Sequence, residues 1–343
     1  MRWKPLVVLS EGVSDELTVS VGHPLVDAYL EFLRGRARRN TILATAFDLK
    51  VFFSVVNKTP TRVTSSDVIS FISVQRNGVT GNVVPIDRSK GLSPRTIRRR
   101  LSSVSGFYAY LIIRGDTSVV RNPVPRGLVT RREQSRPRQR VPLVRVPMTL
   151  PRVLDPSEVD ALVTALRTDR DRAMIDAMVL GGLRRCEVLG LRLDDVHLAK
   201  RRVFIAEGKG GRQRLIPMSA RFFASLARYL DCERPRDAST DRVFVVLKGP
   251  QRGRPLSPAG LDEILRGARS RAGLAHASCH ELRHTCFTRL REAGMSLEAL
   301  QAQAGHASIE TTRLYLHLSD DWLAAEYRKA AAAIDAQQLR VAR

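Results

Sequence analysis

Five short stretches in the second half of the chain hold residue types that bind phosphate or attack it. Arg184 and Glu187 lie three residues apart beside a glycine pair, so a helix that starts there places both on one face and lets the carboxylate orient the guanidinium. Lys209 lies in a glycine-flanked stretch, from which a long ammonium side chain can reach a ligand. His280 and Arg283 repeat the three-residue spacing further along the chain. This pattern predicts a site for an anion such as a phosphate group.

A histidine and a tyrosine complete the series. His306 follows Gly305 at a predicted turn, and Tyr315 comes nine residues after His306. Taken singly, each residue of the series has an ordinary structural explanation, such as a surface ion pair, a solvated lysine or a core tyrosine. Their order is what indicates chemistry. A phenol with a pKa of about 10 needs positive charge and a proton acceptor close by before it becomes a nucleophile at neutral pH.

The charge of the chain points to a polyanionic partner. The chain has 343 residues, with 57 lysines and arginines against 34 acidic residues, and a formal net charge of +23. The excess peaks between Arg88 and Arg145, where fifteen basic residues face only Asp116 and Glu133. Nearly all of them are arginines, whose forked guanidinium grips phosphate with two hydrogen bonds, so nucleic acid is the expected ligand. A membrane surface is the weaker alternative, because no segment joins a basic face to a strong apolar face.

Composition excludes several classes of protein. Hydrophobic residues make up 43% and charged residues 27%, as in ordinary soluble globular proteins. No apolar run approaches the roughly 18 residues that a membrane-spanning helix needs. Residues 1–12 contain no export signal, and the four cysteines form no CxxC pair. We therefore expect a cytoplasmic protein with neither a disulfide framework nor a zinc site.

Helices are predicted to carry the basic residues of the first half. Apolar residues recur at helical spacing in residues 23–38 and 41–56, and a third helix is predicted from the hydroxyl-rich start at 64–66. Ser93 and Pro94 form a start signal for a fourth helix. We predict that the exposed face of this helix carries an arginine cluster facing DNA, formed by Arg95, Arg98, Arg99 and Arg100.

The second half must position the candidate chemistry on helices and one hairpin. Residues 115–148 are rich in proline and arginine, and are read as a linker. Asp155 and Glu158 then form a capping box that opens the next helix. Residues 202–206 and 212–217 have strand character and predict a β-hairpin with Lys209 at its tip. The remainder is predicted to be mostly helical, with start signals at Ser257, Ser296 and Ser308.

In this order and spacing, Arg184, Lys209, His280-x-x-Arg283, Gly305-His306 and Tyr315 resemble the tyrosine recombinase superfamily, the phage integrase family. The resemblance implies a mainly α fold with a small β-sheet or hairpin in the catalytic domain. It divides the chain into an N-terminal extension (1–20), a helical, SAM-like core-binding domain (21–117), an Arg/Pro-rich linker (118–150), a catalytic domain (151–319) and a C-terminal helical tail (320–343). The chain departs from the family's pattern at Gly181, Cys186 and Ala304. We expect these to be packing positions that leave the chemistry intact.

The resemblance also assigns the central roles. Tyr315 would attack a DNA phosphate, giving a covalent 3′-phosphotyrosine link and a free 5′-hydroxyl group. Arg184 and Arg283 would bind the two non-bridging oxygens, where negative charge grows in the transition state, and His306 would donate a further hydrogen bond.

Lys209 would then protonate the departing 5′ oxygen, and His280 would act as an acid/base or phosphate ligand. Glu187 would hold Arg184 in position, and His284 and His317 are expected to be supporting residues. Tyr327 is the only other tyrosine near the C-terminus, but it follows no Gly-His pair at the family's spacing.

The expected function is therefore site-specific DNA recombination by a homotetramer on double-stranded DNA, without a cofactor, a metal or a membrane. One ester replaces another in this chemistry, so no nucleotide is consumed. Two alternatives stay open, a type IB topoisomerase-like enzyme and a non-catalytic DNA-binding accessory factor. The target DNA sequence, the accessory partners, the choice among integration, excision, inversion, resolution and transposition, and the cis or trans docking of the tail are left undetermined. The helical domain begins by about residue 23, so no arm-binding module is expected before it.

Overall fold

The computed structural model describes residues 3–11, 17–77, 91–127, 142–147, 152–206 and 213–305, together with Thr312 and Ala331. The chain divides into two compact units, residues 1–148 and 149–343, each with its own hydrophobic core. The mainly helical fold with small antiparallel sheets that the sequence predicts is confirmed. Within these described ranges, no helix is both long enough and apolar enough to cross a bilayer.

In the described part of the first unit, a β-hairpin precedes four α-helices. The strands β1 (Val8–Glu11) and β2 (Leu17–Ser20) are antiparallel, with Val8 opposite Ser20. The helices are α1 (Pro24–Arg34), α2 (Arg39–Val56), α3 (Ser65–Asn77) and α4 (Pro94–Arg114). Their inward faces bury a cluster of aromatic rings that includes Phe52, Phe71 and Phe107.

The start of α4 follows the predicted signal. The Ser93 hydroxyl accepts a hydrogen bond of 3.2 Å from the Thr96 amide, and Pro94 is the first helical residue. The helix ends at Gly115, whose φ of 73° favours glycine. These signals fix where the basic helix begins and ends.

One part of the predicted arginine cluster is wrong. Arg100 is only 7% exposed; its guanidinium donates to the Gln75 side-chain oxygen and lies 3.7 Å from Asp48. Arg100 follows Ile97 by three residues and precedes Val104 by four, so it belongs to the apolar face of α4. Arg95, Arg98 and Arg99 are exposed.

Two segments of the first unit, the β1–β2 hairpin and part of the proline-rich segment, pack against its core although the sequence predicts no regular structure for either. The hairpin is held by the Trp3 indole, which donates to the Val21 carbonyl at 3.2 Å and contacts the Phe53 ring at 5.1 Å between centroids. Within the proline-rich segment, Val144 is 2% exposed and belongs to the core of this unit. Part of this segment is therefore packed against the first unit.

In the second unit, the described residues form seven α-helices and a three-stranded sheet. The helices are α5 (Pro156–Thr164), α6 (Asp169–Val179), α7 (Arg185–Gly190), α8 (Ala220–Arg228), α9 (Pro258–Arg271), α10 (Cys279–Glu292) and α11 (Leu297–Ala304). The strands are β3 (Val196–His197), β4 (Arg202–Ile205) and β5 (Arg214–Pro217), in the order β3-β4-β5.

The predicted hairpin is confirmed as β4 and β5, which pair antiparallel with Ile205 opposite Arg214. The predicted capping box at the start of α5 is also present, formed by Asp155 and Glu158. Ser257 and Ser296 cap α9 and α11 as predicted. The hairpin tip with Lys209 and the start signal at Ser308 lie outside the described residues.

Candidate active site

A tight turn after α6 brings Arg184 to the start of α7. Gly182 has a φ of 68°, and a Cβ atom there would lie 2.5 Å from the Phe287 ring, so the turn has room only for glycine. Leu183, fully buried, anchors the turn in the core. The chain then leaves Arg184 at the N-terminal end of α7 with its side chain 20% exposed.

Glu187 lies at the centre of the site, with no exposed side-chain surface. Its Oε1 accepts from the Arg184 Nη1 at 2.8 Å, and its Oε2 accepts from the Arg184 amide at 2.9 Å. Arg214, on β5, adds a two-pronged contact: its Nη1 donates to Oε1 and its Nη2 to Oε2, both at 3.0 Å. Two arginines from separate elements therefore share one buried carboxylate.

Arg283, on α10, is the third guanidinium of the cluster. Its Nη1 lies 3.9 Å from the Glu187 carboxylate and donates to the Gly182 carbonyl, while its Nη2 donates to the Ala304 carbonyl at 2.7 Å. The guanidinium also lies over the Phe287 ring, 4.7 Å from its centroid. Arg283 therefore ties the turn before Arg184 to the end of α11.

The end of α11 is held from several sides. The Gln303 side-chain amide donates to the Gly181 and Pro217 carbonyls at 3.1 and 3.3 Å. The Gln303 carbonyl accepts from the Arg214 Nε at 3.1 Å. Gly305 then closes the helix with a φ of 61°. The residue that follows this clamped end is His306, which lies outside the described residues.

Two histidines face each other on α10. The Nε2 atoms of His280 and His284 are 2.8 Å apart, and the rings meet edge to face. Burial, with the nearby charges of His280 and Arg283, lowers the pKa of His284 to about 4. At neutral pH His284 is therefore uncharged, and a single proton can lie between the two nitrogens.

The cluster carries a surplus of positive charge. Burial alone would raise the pKa of the Glu187 carboxyl, but hydrogen bonds from Arg214 and from the Arg184 amide outweigh it and hold that pKa below its ordinary value. Glu187 is therefore ionised, and three guanidiniums minus one carboxylate leave two positive charges at the site. Such an arrangement can bind a phosphodiester and stabilise added negative charge on it.

The structure brings Arg184, Glu187 and Arg283 together, and it places His280 on the same helix as Arg283. The remaining members of the predicted set lie outside the described residues, namely Lys209, His306 and Tyr315.

The departures from the family pattern have different environments. A Cβ atom on Gly181 would lie 2.3 Å from the Met218 sulfur, so Met218 fills the space that a side chain would need. Ala304 is fully buried beside Phe287 and Leu300. Cys186 is exposed, so its prediction as a packing position is wrong. It is the second residue of α7.

Comparison with known proteins places this geometry in a family. The phage integrase family model matches residues 152–321, and the model of the N-terminal SAM-like domain of phage integrases matches residues 26–115. The tyrosine recombinase XerD of Listeria innocua is 32% identical over 307 residues, which cover 86% of this chain and 94% of that protein. The chain belongs to the phage integrase family. It is a tyrosine-type site-specific recombinase. A tyrosine recombinase XerC of Roseiflexus castenholzii is 30% identical over 314 residues, covering 86% of this chain and 89% of that one.

Solved structures agree with the fold of this recombinase. The Tn1549 transposon integrase in complex with transposon right end DNA superposes with a TM-score of 0.66 at 19% identity, covering 90% of this chain and 98% of that one. The XerH site-specific recombinase bound to palindromic difH substrate gives a TM-score of 0.63 at 20% identity, covering 90% and 84%.

Two residues of this recombinase site are missing from the sequence prediction, Arg214 and Gln303. A signal for Arg214 exists. It lies two residues before the buried Ile216 on β5, so strand alternation places a charged side chain on an inward face, which calls for a buried partner. Gln303 has no such signal, because a glutamine near a helix end is ordinary on a surface.

Proposed function

We propose that this recombinase cleaves and rejoins double-stranded DNA at specific sites through a covalent 3′-phosphotyrosine link formed by Tyr315. The observation that carries the proposal is the cluster of Arg184, Arg214 and Arg283 around the buried Glu187. Two uncompensated positive charges at a partly buried site cost free energy unless an anion binds there. Binding a phosphate would offset that cost.

DNA is the proposed source of the phosphate. The solved neighbours include the XerH recombinase bound to its difH substrate and the Tn1549 integrase in complex with transposon DNA. The net charge of +23 supports a polyanionic ligand, and the exposed arginines of α4, Arg95, Arg98 and Arg99, would bind the backbone.

The proposed reaction is a transesterification. The Tyr315 oxygen attacks the phosphorus and gives its proton to a base, His280 or water, while the bond to the 5′ oxygen breaks and that oxygen takes a proton from Lys209. Arg184 and Arg283 neutralise the non-bridging oxygens as their charge grows, and His306 donates a further hydrogen bond. A 5′-hydroxyl from another strand then reverses the step and releases the tyrosine, so the number of ester bonds stays constant.

His280 and Glu187 act around this step. His280 contacts the phosphate or acts as the acid/base for the Tyr315 hydroxyl, while the neutral His284 holds its ring. Glu187 keeps Arg184 in place through its side chain and its amide. A homotetramer on DNA would let four such sites exchange two pairs of strands, with the first unit as the core-binding domain and the second unit as the catalytic domain.

The test is a covalent adduct on a nicked suicide duplex. The duplex carries a sequence that the parent chain enriches from a randomised DNA library. Tyr315→Phe should bind this duplex like the parent and form no adduct, because only the nucleophilic oxygen is lost. Tyr327→Phe is the matched control and should form adduct at the parental rate.

Adduct formation by Tyr315→Phe would show that another residue is the nucleophile. Absence of an adduct with the parent would favour a non-catalytic DNA-binding factor, and relaxation of supercoiled DNA without a specific site would favour a topoisomerase. Because arginines supply the charge that neutralises the transition state, cleavage should persist in EDTA. Loss on chelation with recovery in Mg²⁺ would contradict the mechanism.

A further inference from the structure

Arg214 joins three parts of the site that are far apart in sequence. It lies on β5, the strand that leaves the Lys209 hairpin; its fork holds Glu187 on α7, and its Nε holds the end of α11. We infer that Arg214 is a positioning residue of the cleavage reaction, which acts by fixing Arg184 through Glu187 and by fixing the start of the segment that carries His306. The inference rests on the function proposed above.

The first step concerns the charge of Glu187. A carboxylate with no exposed surface is costly unless charged partners satisfy both oxygens. Arg184 supplies one side-chain nitrogen and one amide, whereas Arg214 supplies a nitrogen to each oxygen. Because Arg214 carries half of this task, Arg184 commits only its Nη1 to the carboxylate and keeps the rest of its guanidinium for a ligand.

The second step concerns α11. The last carbonyls of a helix carry partial negative charge and lack partners within the helix. Here the Gln303 carbonyl accepts from Arg214, and the Ala304 carbonyl accepts from Arg283. A Cβ atom on Gly305 would lie 3.0 Å from the Arg214 guanidinium, so the chain passes directly over this side chain just before His306.

The third step argues against a direct contact with the scissile phosphate as the main role of Arg214. Each of its three nitrogens already donates to a protein oxygen, Nη1 and Nη2 to Glu187 and Nε to Gln303, which uses three of its five N–H groups. Its side chain is 11% exposed, against 20% for Arg184. Lysine cannot replace this geometry, since an ammonium is a single point charge and lacks the fork.

The experiment compares Arg214→Lys and Arg214→Met with a matched control, Arg271→Lys. Arg271 also donates its Nε to a carbonyl at a helix end, that of Ala165 at 2.9 Å, but it takes no part in the Glu187 cluster. The readouts are affinity for the selected duplex, the single-turnover rate of adduct formation on its nicked form, and the melting temperature of each variant.

Both Arg214 variants should bind the duplex within about threefold of the parent and form adduct about 10- to 100-fold more slowly, a smaller loss than removal of a donor that touches the phosphate produces. Arg271→Lys should form adduct at the parental rate. Folded Arg214→Lys that forms adduct within threefold of the parent would overturn the inference. A parent that forms no adduct would instead refute the proposed function.

A pH profile separates positioning from a merely structural role. Among the residues that the structure describes, the charged groups facing Glu187 are Arg184, Arg214 and Arg283. Removing Arg214 raises the pKa of the buried carboxyl, so adduct formation by Arg214→Met should fall as the pH is lowered, in a range where the parent is unaffected. The double variant Arg214→Met/Glu187→Gln has no carboxyl to titrate and should lose this acid limb. An Arg214→Met profile parallel to that of the parent, with a rate loss that tracks melting temperature, would overturn the inference.

Discussion

His284 makes the stability of the second unit depend on pH. Its pKa is about 4 in the folded chain, against 6.5 for an ordinary histidine. Between these pH values the unfolded chain binds a proton that the folded chain does not, so the free energy of unfolding falls as the pH drops from 6.5 towards 4. We therefore expect a lower free energy of unfolding at pH 5 than at pH 7. Urea unfolding at the two pH values measures it.

The control is His284→Gln, which keeps a polar side chain but cannot titrate. Its free energy of unfolding should fall less than that of the parent between pH 7 and pH 5. Equal losses in the two proteins would mean that the pKa of His284 is not depressed.

Arg184 and Arg283 should differ in what their loss costs. Either substitution to alanine removes a preorganised anion donor and should slow adduct formation by about 100-fold or more. Arg283→Ala also leaves two buried carbonyls, those of Gly182 and Ala304, without their donor, which costs about 1–3 kcal/mol each. We therefore expect a large loss of unfolding free energy for Arg283→Ala and a smaller one for Arg184→Ala.

Urea unfolding and single-turnover cleavage on the same preparations check this pair. Equal unfolding free energies for the two variants would mean that Arg283 does not support the fold. A cleavage rate within threefold of the parental rate would mean that the substituted residue is not part of the active site.

Within the described residues, the sequence predicted one part of the site and missed another. Arg184 and Glu187 pair because they lie three residues apart at the start of one helix, whereas Arg283, on another helix, was expected beside them only from the resemblance to the family. Arg214 contacts Glu187 from 27 residues away, and local spacing carries no information about such a contact. The prediction for Arg100 fails for a different reason. Its arginine neighbours suggest a surface cluster, but its position on the helix faces the core.

At the scale of the element, α4 provides a test of DNA binding. Arg95 and Arg98 are exposed on its first turns, and replacing both with glutamine should reduce the slope of log binding constant against log salt by about two units, one per lost phosphate contact. The measurement is a titration of duplex binding over a series of salt concentrations.

Arg114→Gln is the matched control for this pair. It lies at the other end of the same helix, is exposed and pairs with Asp116 at 2.7 Å. Its loss should leave the slope unchanged. An unchanged slope for the Arg95/Arg98 variant as well would mean that this end of α4 does not face DNA.

The ends of helices can be predicted from the sequence where a capping side chain determines them. Ser93, Asp155, Ser257 and Ser296 cap helices that begin where the sequence predicts. The hairpin of β1 and β2 has no comparable signal. Its strands are four residues each, and it is held by packing against Trp3, α1 and α2, which requires the tertiary structure.

At the scale of the whole molecule, the predicted C-terminal tail offers a test of assembly. Residues 320–343 are rich in helix formers with small apolar positions, so a helix there gains little without a surface to dock on. If that surface belongs to a neighbouring subunit, removal of residues 329–343 should leave binding to a single site intact and reduce tetramer formation and recombination. Native gel analysis of the DNA complexes, with recombination of a two-site plasmid, provides the measurement.

Removal of residues 341–343 alone is the control and should be neutral. Full assembly and recombination by the longer truncation would mean that the tail covers its own domain.

The surplus charge around Glu187 has a consequence for handling the purified chain. Without DNA, Arg184, Arg214 and Arg283 outnumber their one carboxylate, and a small tetrahedral anion from the buffer can take the place of the phosphate. Ligands that bind only the folded state stabilise it in proportion to the logarithm of their concentration. Storage in sulfate should therefore preserve the chain better than storage in chloride of equal ionic strength. Preparations of Arg184→Ala should gain less from that choice of salt.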